Sequence, residues 1–104
     1  MFHRMYSIYD SASDSYNLPF YFLNNNQAKR AAIDLLQEDN QISRHPEDFT
    51  LFEMGDFDPQ TGEGMFYDSP IRFINFHELA ATLPDIPREE TAVPEQPTPT
   101  LKEA

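Results

Sequence analysis

The residues best equipped for chemistry are the acids of HPEDFTLFEMGDFDPQTGE, His45 to Glu63. This stretch holds six carboxylates (Glu47, Asp48, Glu53, Asp56, Asp58, Glu63) and no Lys or Arg. Within it, Asp56-x-Asp58 followed by Gln60 and Gly62 has the look of an opening calcium loop, in which alternating oxygen donors wrap a hard cation. That pattern requires Gly at its sixth position and a bidentate Glu at its twelfth. Thr61 and Tyr67 stand there instead. The same residues compose a hairpin turn, with Pro59 fixing φ and Gly62 supplying a positive φ. The spacing therefore reads as a turn.

The other candidate chemistries fare no better. His3, His45 and His77 are scattered without ligand spacing, and His77-Glu78 is not HExxH because Ala81 occupies the second His position. His45 stands beside Pro46, where shaping a turn is reason enough for it. The absence of Cys excludes disulfides, thiolate metal sites and Cys nucleophiles. Gly55, Gly62 and Gly64 gather around the hairpin and form no phosphate-binding loop, nucleophile elbow or dinucleotide fingerprint. The chain is expected to be non-enzymatic, with no cofactor and no metal.

That leaves the cations. Arg4, Lys29, Arg30, Arg44 and Arg72 form the candidate nucleic-acid-binding set. Lys29 and Arg30 fall in the first turns of an expected helix, where backbone N–H groups also favour anions. Arg4 on the first strand could join them, with Tyr and Phe rings as base-stacking surfaces. Ordinary surface charge balancing nearby acids accounts for the same residues without a ligand.

Net charge weighs on that choice. Seven bases against eighteen acids give −11, and residues 1–83 alone carry thirteen acids against five bases, or −8. Such a chain repels phosphate polymers at long range, since non-specific nucleic-acid affinity comes from cations displacing counterions. Single-stranded DNA is thus a candidate partner that the charge opposes, while basic partners fit it. No apolar run approaches the ~20 residues of a membrane span, and MFHRMYSIYD lacks the apolar core of a signal peptide. A soluble, cytoplasmic protein without membrane contact is expected.

The elements that must position these residues occupy residues 1–83, a compact α+β domain. Residues 84–104 hold five of the nine prolines and no aromatic residue, the composition of a disordered acidic tail. A domain of ~83 residues is marginal alone, which makes a homodimer a candidate. Phe2–Tyr9 alternates as a strand, with Phe2, Tyr6 and Ile8 on one face and Met5, Ser7 and Tyr9 on the other. Asp10–Asn17 reads as a turn, and Leu18–Leu23 as a second strand in an antiparallel hairpin. Pro19 pushes that strand toward an edge. Asn24–Asn26 offer N-caps for a helix reaching about Asp39, with Ala28, Ala31, Ala32, Leu35 and Leu36 as its apolar stripe. Arg30–Asp34 is an i,i+4 ion pair in that helix.

Asn40–Asp48 reads as a loop. Phe49–Phe57, apolar on both faces near Leu51–Phe52, is a central strand. Asp58–Gly62 is its hairpin loop, Met65–Tyr67 the return strand, and Asp68-Ser69-Pro70 a break. Ile71–Leu83 starts like a strand and continues as a helix from near Asn75. The expected order is ββαββ(α), an antiparallel sheet with one main helix on a face.

Tyr6-Ser7-Ile8-Tyr9-Asp10, Pro19-Phe20, Lys29-Arg30-Ala31 and His45 through Gly62 carry a resemblance to a known family. Across residues 5–75 the chain resembles the small nonstructural protein of gokushoviruses, single-stranded DNA bacteriophages of the Microviridae. The resemblance implies a protein made in the cytoplasm of the infected bacterium and not expected in the virion. Such proteins are often labelled DNA-binding and compared with the microvirus C protein. That counterpart is associated with the switch from duplex replication to single-stranded DNA synthesis coupled to packaging. No catalytic residue carries over. The implied role is an accessory protein of genome replication or packaging, with phage replication or capsid-assembly proteins or host proteins as partners. The alternative from charge is an acidic host-directed protein of the nucleic-acid-mimic type, which occupies a basic surface.

Overall fold

The computed structural model describes residues 2–83; the proposed tail of residues 84–104 lies outside them. The hydrophobic residues of the first strand decide the layout. Strand β1 (His3–Asp10) buries Tyr6 and Ile8 on one face, and the whole helical layer packs there. Two short strands, β2 (Ser15–Tyr16) and β3 (Phe20–Phe22), pair antiparallel along one edge of β1. β4 (Phe49–Phe57) pairs along the other edge, and β5 (Gly64–Asn75) pairs outside β4. The expected hairpin of the first strands and the central place of Phe49–Phe57 are both present.

Helix α1 (Asn25–Gln37) starts at Asn24, whose side chain accepts from the Gln27 amide at 3.0 Å. Gln27 answers by accepting from the Leu23 amide, so two otherwise orphan donors are satisfied together. Ala28, Ala32 and Leu36 are buried against the sheet, whereas Ala31 and Leu35, expected in the same stripe, are only half-buried. The sheet covers a narrower arc of the helix than its apolar residues span. The expected Arg30–Asp34 ion pair is not formed among the described residues.

Three element expectations are corrected. Asp10–Asn17 is not all turn, because Ser15 and Tyr16 pair with Asp10 and Tyr9 as β2 and add a strand to the expected order. The region Asn40–Asp48 is not a plain loop: it holds α2 (Gln41–Arg44) and a 3-10 turn at Pro46–Asp48. Asn40 and Ser43 cap α2 reciprocally, a pairing whose short polar residues read in sequence as turn composition. Asp68-Ser69-Pro70 does not end the return strand either. β5 runs through it, but the pairing steps from Gly55↔Phe66 to Glu53↔Ile71, leaving Tyr67–Pro70 opposite Met54. The break is a bulge in the ladder, and Pro70 is tolerated because β5 is an edge strand. Helix α3 (Phe76–Thr82) follows at once, capped by Asn75, and inserts Phe76 and Leu79 into the core.

Candidate functional site

The five candidate cations do not gather. Arg4 lies under the start of α1, where its Nη1 meets Glu53 Oε1 at 3.2 Å. The second Glu53 oxygen accepts from Asn25 Nδ2 at 3.4 Å, and Asn25 Oδ1 accepts from the Tyr6 hydroxyl at 2.6 Å. Burial, and then the Glu53 charge, push the Tyr6 hydroxyl up to about 12. Beside it, Tyr67 donates to Asp56 at 3.4 Å and is likewise raised by burial and by the Asp56 and Glu53 charges. Both phenols are held protonated, and the bonds through Asn25 and Glu53 tie α1 to β1 and β4. Arg44 is taken up by Asp39 at 2.9 Å and Arg72 by Glu78 at 3.4 Å. Lys29 and Arg30 are exposed on α1, with no ion pair among the described residues. Three of the five cations therefore serve three separate acids in different parts of the fold.

The acidic hairpin is a turn. The Asp58 carboxylate accepts from the Gln60 amide at 2.9 Å, a bond that lowers its pKa, and Gly62 takes φ +79°. Among the described residues, no three His, Asp or Glu side chains come together in a way that could hold a metal. No described helix is long and apolar enough to cross a membrane.

The other face of the sheet points away from the helices. Residues paired across strands project to the same side. The register thus groups Tyr9 with Tyr16 and Thr50, Ser7 with Phe52, Met5 with Tyr21 and Gly55, His3 with Phe57, and Gly55 with Phe66. None of these residues is acidic, whereas Asp10, Glu53 and Asp56 pair on the helix side. Rings dominate the face. Tyr9, Tyr16 and Phe52 have centroids 5.0–6.3 Å apart, and Tyr21 and Phe57 lie at 5.6 Å. Tyr16, Tyr21 and Phe66 are 44%, 43% and 67% exposed. Tyr9 donates to the Asp14 carboxylate at the rim, the first cause of its raised pKa.

Beneath the rings, Ser7 is buried and donates to Asn17, whose side-chain oxygen also accepts the Ile8 amide at 2.8 Å. Asn17 thereby fills the gap in the β1 ladder between β2 and β3. The alternation of β1 and the two apolar faces of β4 were legible in the sequence. The contributions of Tyr16 and Phe66 were not, because each depends on register across a turn or a bulge.

A sheet with its helices on one face and rings on the other defines a two-layer α+β protein. The chain belongs to the Phage ORF5 protein family, whose model matches residues 3–79. It is thus a member of a phage protein family. No curated protein and no solved structure matches the chain.

Proposed function

We propose that this is a non-enzymatic phage accessory protein acting in single-stranded DNA genome replication or packaging, and that it works through the uncovered aromatic face. The observation that carries the reading is that face: at least three large rings stand open to solvent on a surface without paired acids. Exposed apolar surface of this kind costs solubility and is characteristic of contact sites. The resemblance to gokushovirus nonstructural proteins supplies the replication setting, in the host cytoplasm and outside the virion. Phage replication or capsid-assembly proteins, or host proteins, are the partners. In the narrower form, single-stranded DNA stacks its bases on Tyr16, Tyr21 and Phe66, each base–ring contact contributing ~1–3 kcal/mol. With a net charge of −11, such binding draws little on counterion release, so its salt dependence is shallow.

Affinity purification from infected cells, with and without nuclease, tests this. Tyr16→Ala/Phe66→Ala is expected to lose the recovered partners, and Lys29→Ala/Arg30→Ala to matter less. Partners unchanged by removal of the rings, together with no retention of single-stranded DNA at low salt, would sink the reading. A second reading, an acidic mimic that occupies a basic host surface, is favoured by the acids Asp58 and Glu63 on the hairpin and Asp56 beside it. A host-lysate pull-down that recovers no basic or DNA-binding protein counts against it.

A further inference from the structure

A different surface carries an inference of its own. The incomplete burial of α1 leaves a groove between that helix and the β3 edge. A cleft of about 460 Å³ is lined by Phe20, Phe22, Ala31, Leu35 and Ile42 among others. A second cleft of about 380 Å³ adjoins it, sharing Leu35, Glu38 and Ile42 and reaching Phe49. Among the described residues no Lys, Arg or His lines either cleft, while Asp34 and Glu38 stand at the rim.

Those two acids are badly placed for the helix itself. They lie at i and i+4, a like-charge spacing that costs a few tenths of a kcal/mol. They also sit at the C-terminal end of α1, where the helix dipole disfavours negative charge. No basic residue occupies the last turn, and neither acid has an ion pair among the described residues. Apolar side chains the sheet leaves half-covered thus adjoin two carboxylates that no cation among the described residues pairs.

We propose that this groove docks a basic segment of a partner protein, which sets apolar side chains against Leu35, Ile42 and Phe20 and pairs Lys or Arg with Asp34 and Glu38. Charge selects this occupant over the others at hand. A second copy of the chain brings a further net −11, and residues 84–104 bring five acids against two bases.

The test is an amide NMR titration of the full chain with a synthetic 14-residue amphipathic peptide, leucines on one face and lysines on the other. Shifts are expected at Ala31, Leu35, Glu38 and Ile42. Peptides with Glu for Lys, or Ser for Leu, are expected to bind at least tenfold more weakly. Asp34→Lys/Glu38→Lys changes only exposed positions, relieves the helix end, and should weaken binding at least tenfold. Asp58→Lys/Glu63→Lys makes the same change of charge on the hairpin and should leave affinity within about threefold.

Equal losses in both double variants would reduce the effect to the general negative field and overturn the proposal. Absence of binding, or shifts that map to the aromatic face, would do the same. Two results would assign the groove to another occupant and also overturn it: concentration-dependent shifts at these residues without peptide (a second copy), or shifts there on Arg88→Glu/Lys102→Glu (the chain's own terminus).

Discussion

Gly55 shows how one residue answers to a neighbour distant in sequence. A Cβ built there would lie 2.0 Å from the Met65 carbonyl oxygen, across the β4–β5 ladder. Gly55→Ala must push the strands apart, and the obstacle is backbone, so little can yield. It is expected to destabilise the protein by ~1–3 kcal/mol or more, read as a lower denaturant midpoint. A midpoint unchanged within error would contradict the close approach. Tyr6 gives a second prediction at this scale. Its hydroxyl ionises near 10.0 in the unfolded chain and at about 12 in the folded one. Its contribution is therefore fully present below pH 10 and is lost as pH rises toward 12, because the unfolded chain gives up the proton first. Tyr6→Phe should be less stable at neutral pH, having lost the Asn25 bond, yet decline less between pH 10 and 12. Parallel declines in alkaline denaturation would refute the assignment. Neither position announced its role in the sequence: Gly55 read as one of three hairpin glycines, and Tyr6 as one apolar member of a strand.

At the scale of elements, local signals and long-range pairing separate cleanly. The start of α1 is local, so it was legible: Asn24 caps Gln27 three residues away. Asn24→Ala is expected to cost ~1 kcal/mol, seen in chemical unfolding, whereas Asn26→Ala should change little. Strand β5 is the opposite case. Its Asp68-Ser69-Pro70 break has the composition of a turn, but pairing with β4 on both sides carries the strand through as a bulge. The bulge and Pro70 also blunt the longest exposed edge of the sheet, which would otherwise invite another strand. Ala31 and Leu35 fit the helical period as well as Ala28 and Leu36 do, so periodicity alone could not tell which of them the sheet would leave uncovered. The candidate cations divide in the same way: their exposure was readable, but their pairing with Glu53, Asp39 and Glu78 was not, since two of the three partners lie on another element.

For the whole molecule, charge is the governing quantity. A net −11 repels itself in the compact state. Raising ionic strength from 0.01 M to 0.15 M shortens the screening length from ~30 Å to ~8 Å. Thermal stability is expected to rise by ~1 kcal/mol over that range, roughly 4–8 °C for a domain of this size. A flat or falling melting temperature in the same buffers would mean that the three Arg–carboxylate pairs, which salt weakens, outweigh the repulsion. The distribution of that charge matters as much as its sum. Acids concentrate on the helix side, the rim of the groove and the hairpin, while the aromatic face holds Tyr, Phe, Ser, Thr and Met, with His3 opposite Phe57 and Arg72 opposite Phe52. One small domain thereby presents two surfaces of different character, one rich in rings and one an apolar groove rimmed by acids.

By itself the sequence determined the α+β class, the strand and helix at its centre, the hairpin turn at Asp58–Gly62, the failure of the calcium-like spacing and the acidic character of the chain. Each follows from composition or from residues within a few positions of one another. Only the tertiary structure decided that rings from all five strands share one face that no described helix covers, that Arg4 pairs with Glu53, and that α1 leaves a groove beside Asp34 and Glu38. Those outcomes depend on register across bulges and on how far a sheet reaches around a helix. No local pattern carries that information, because the residues concerned meet only when the chain has closed.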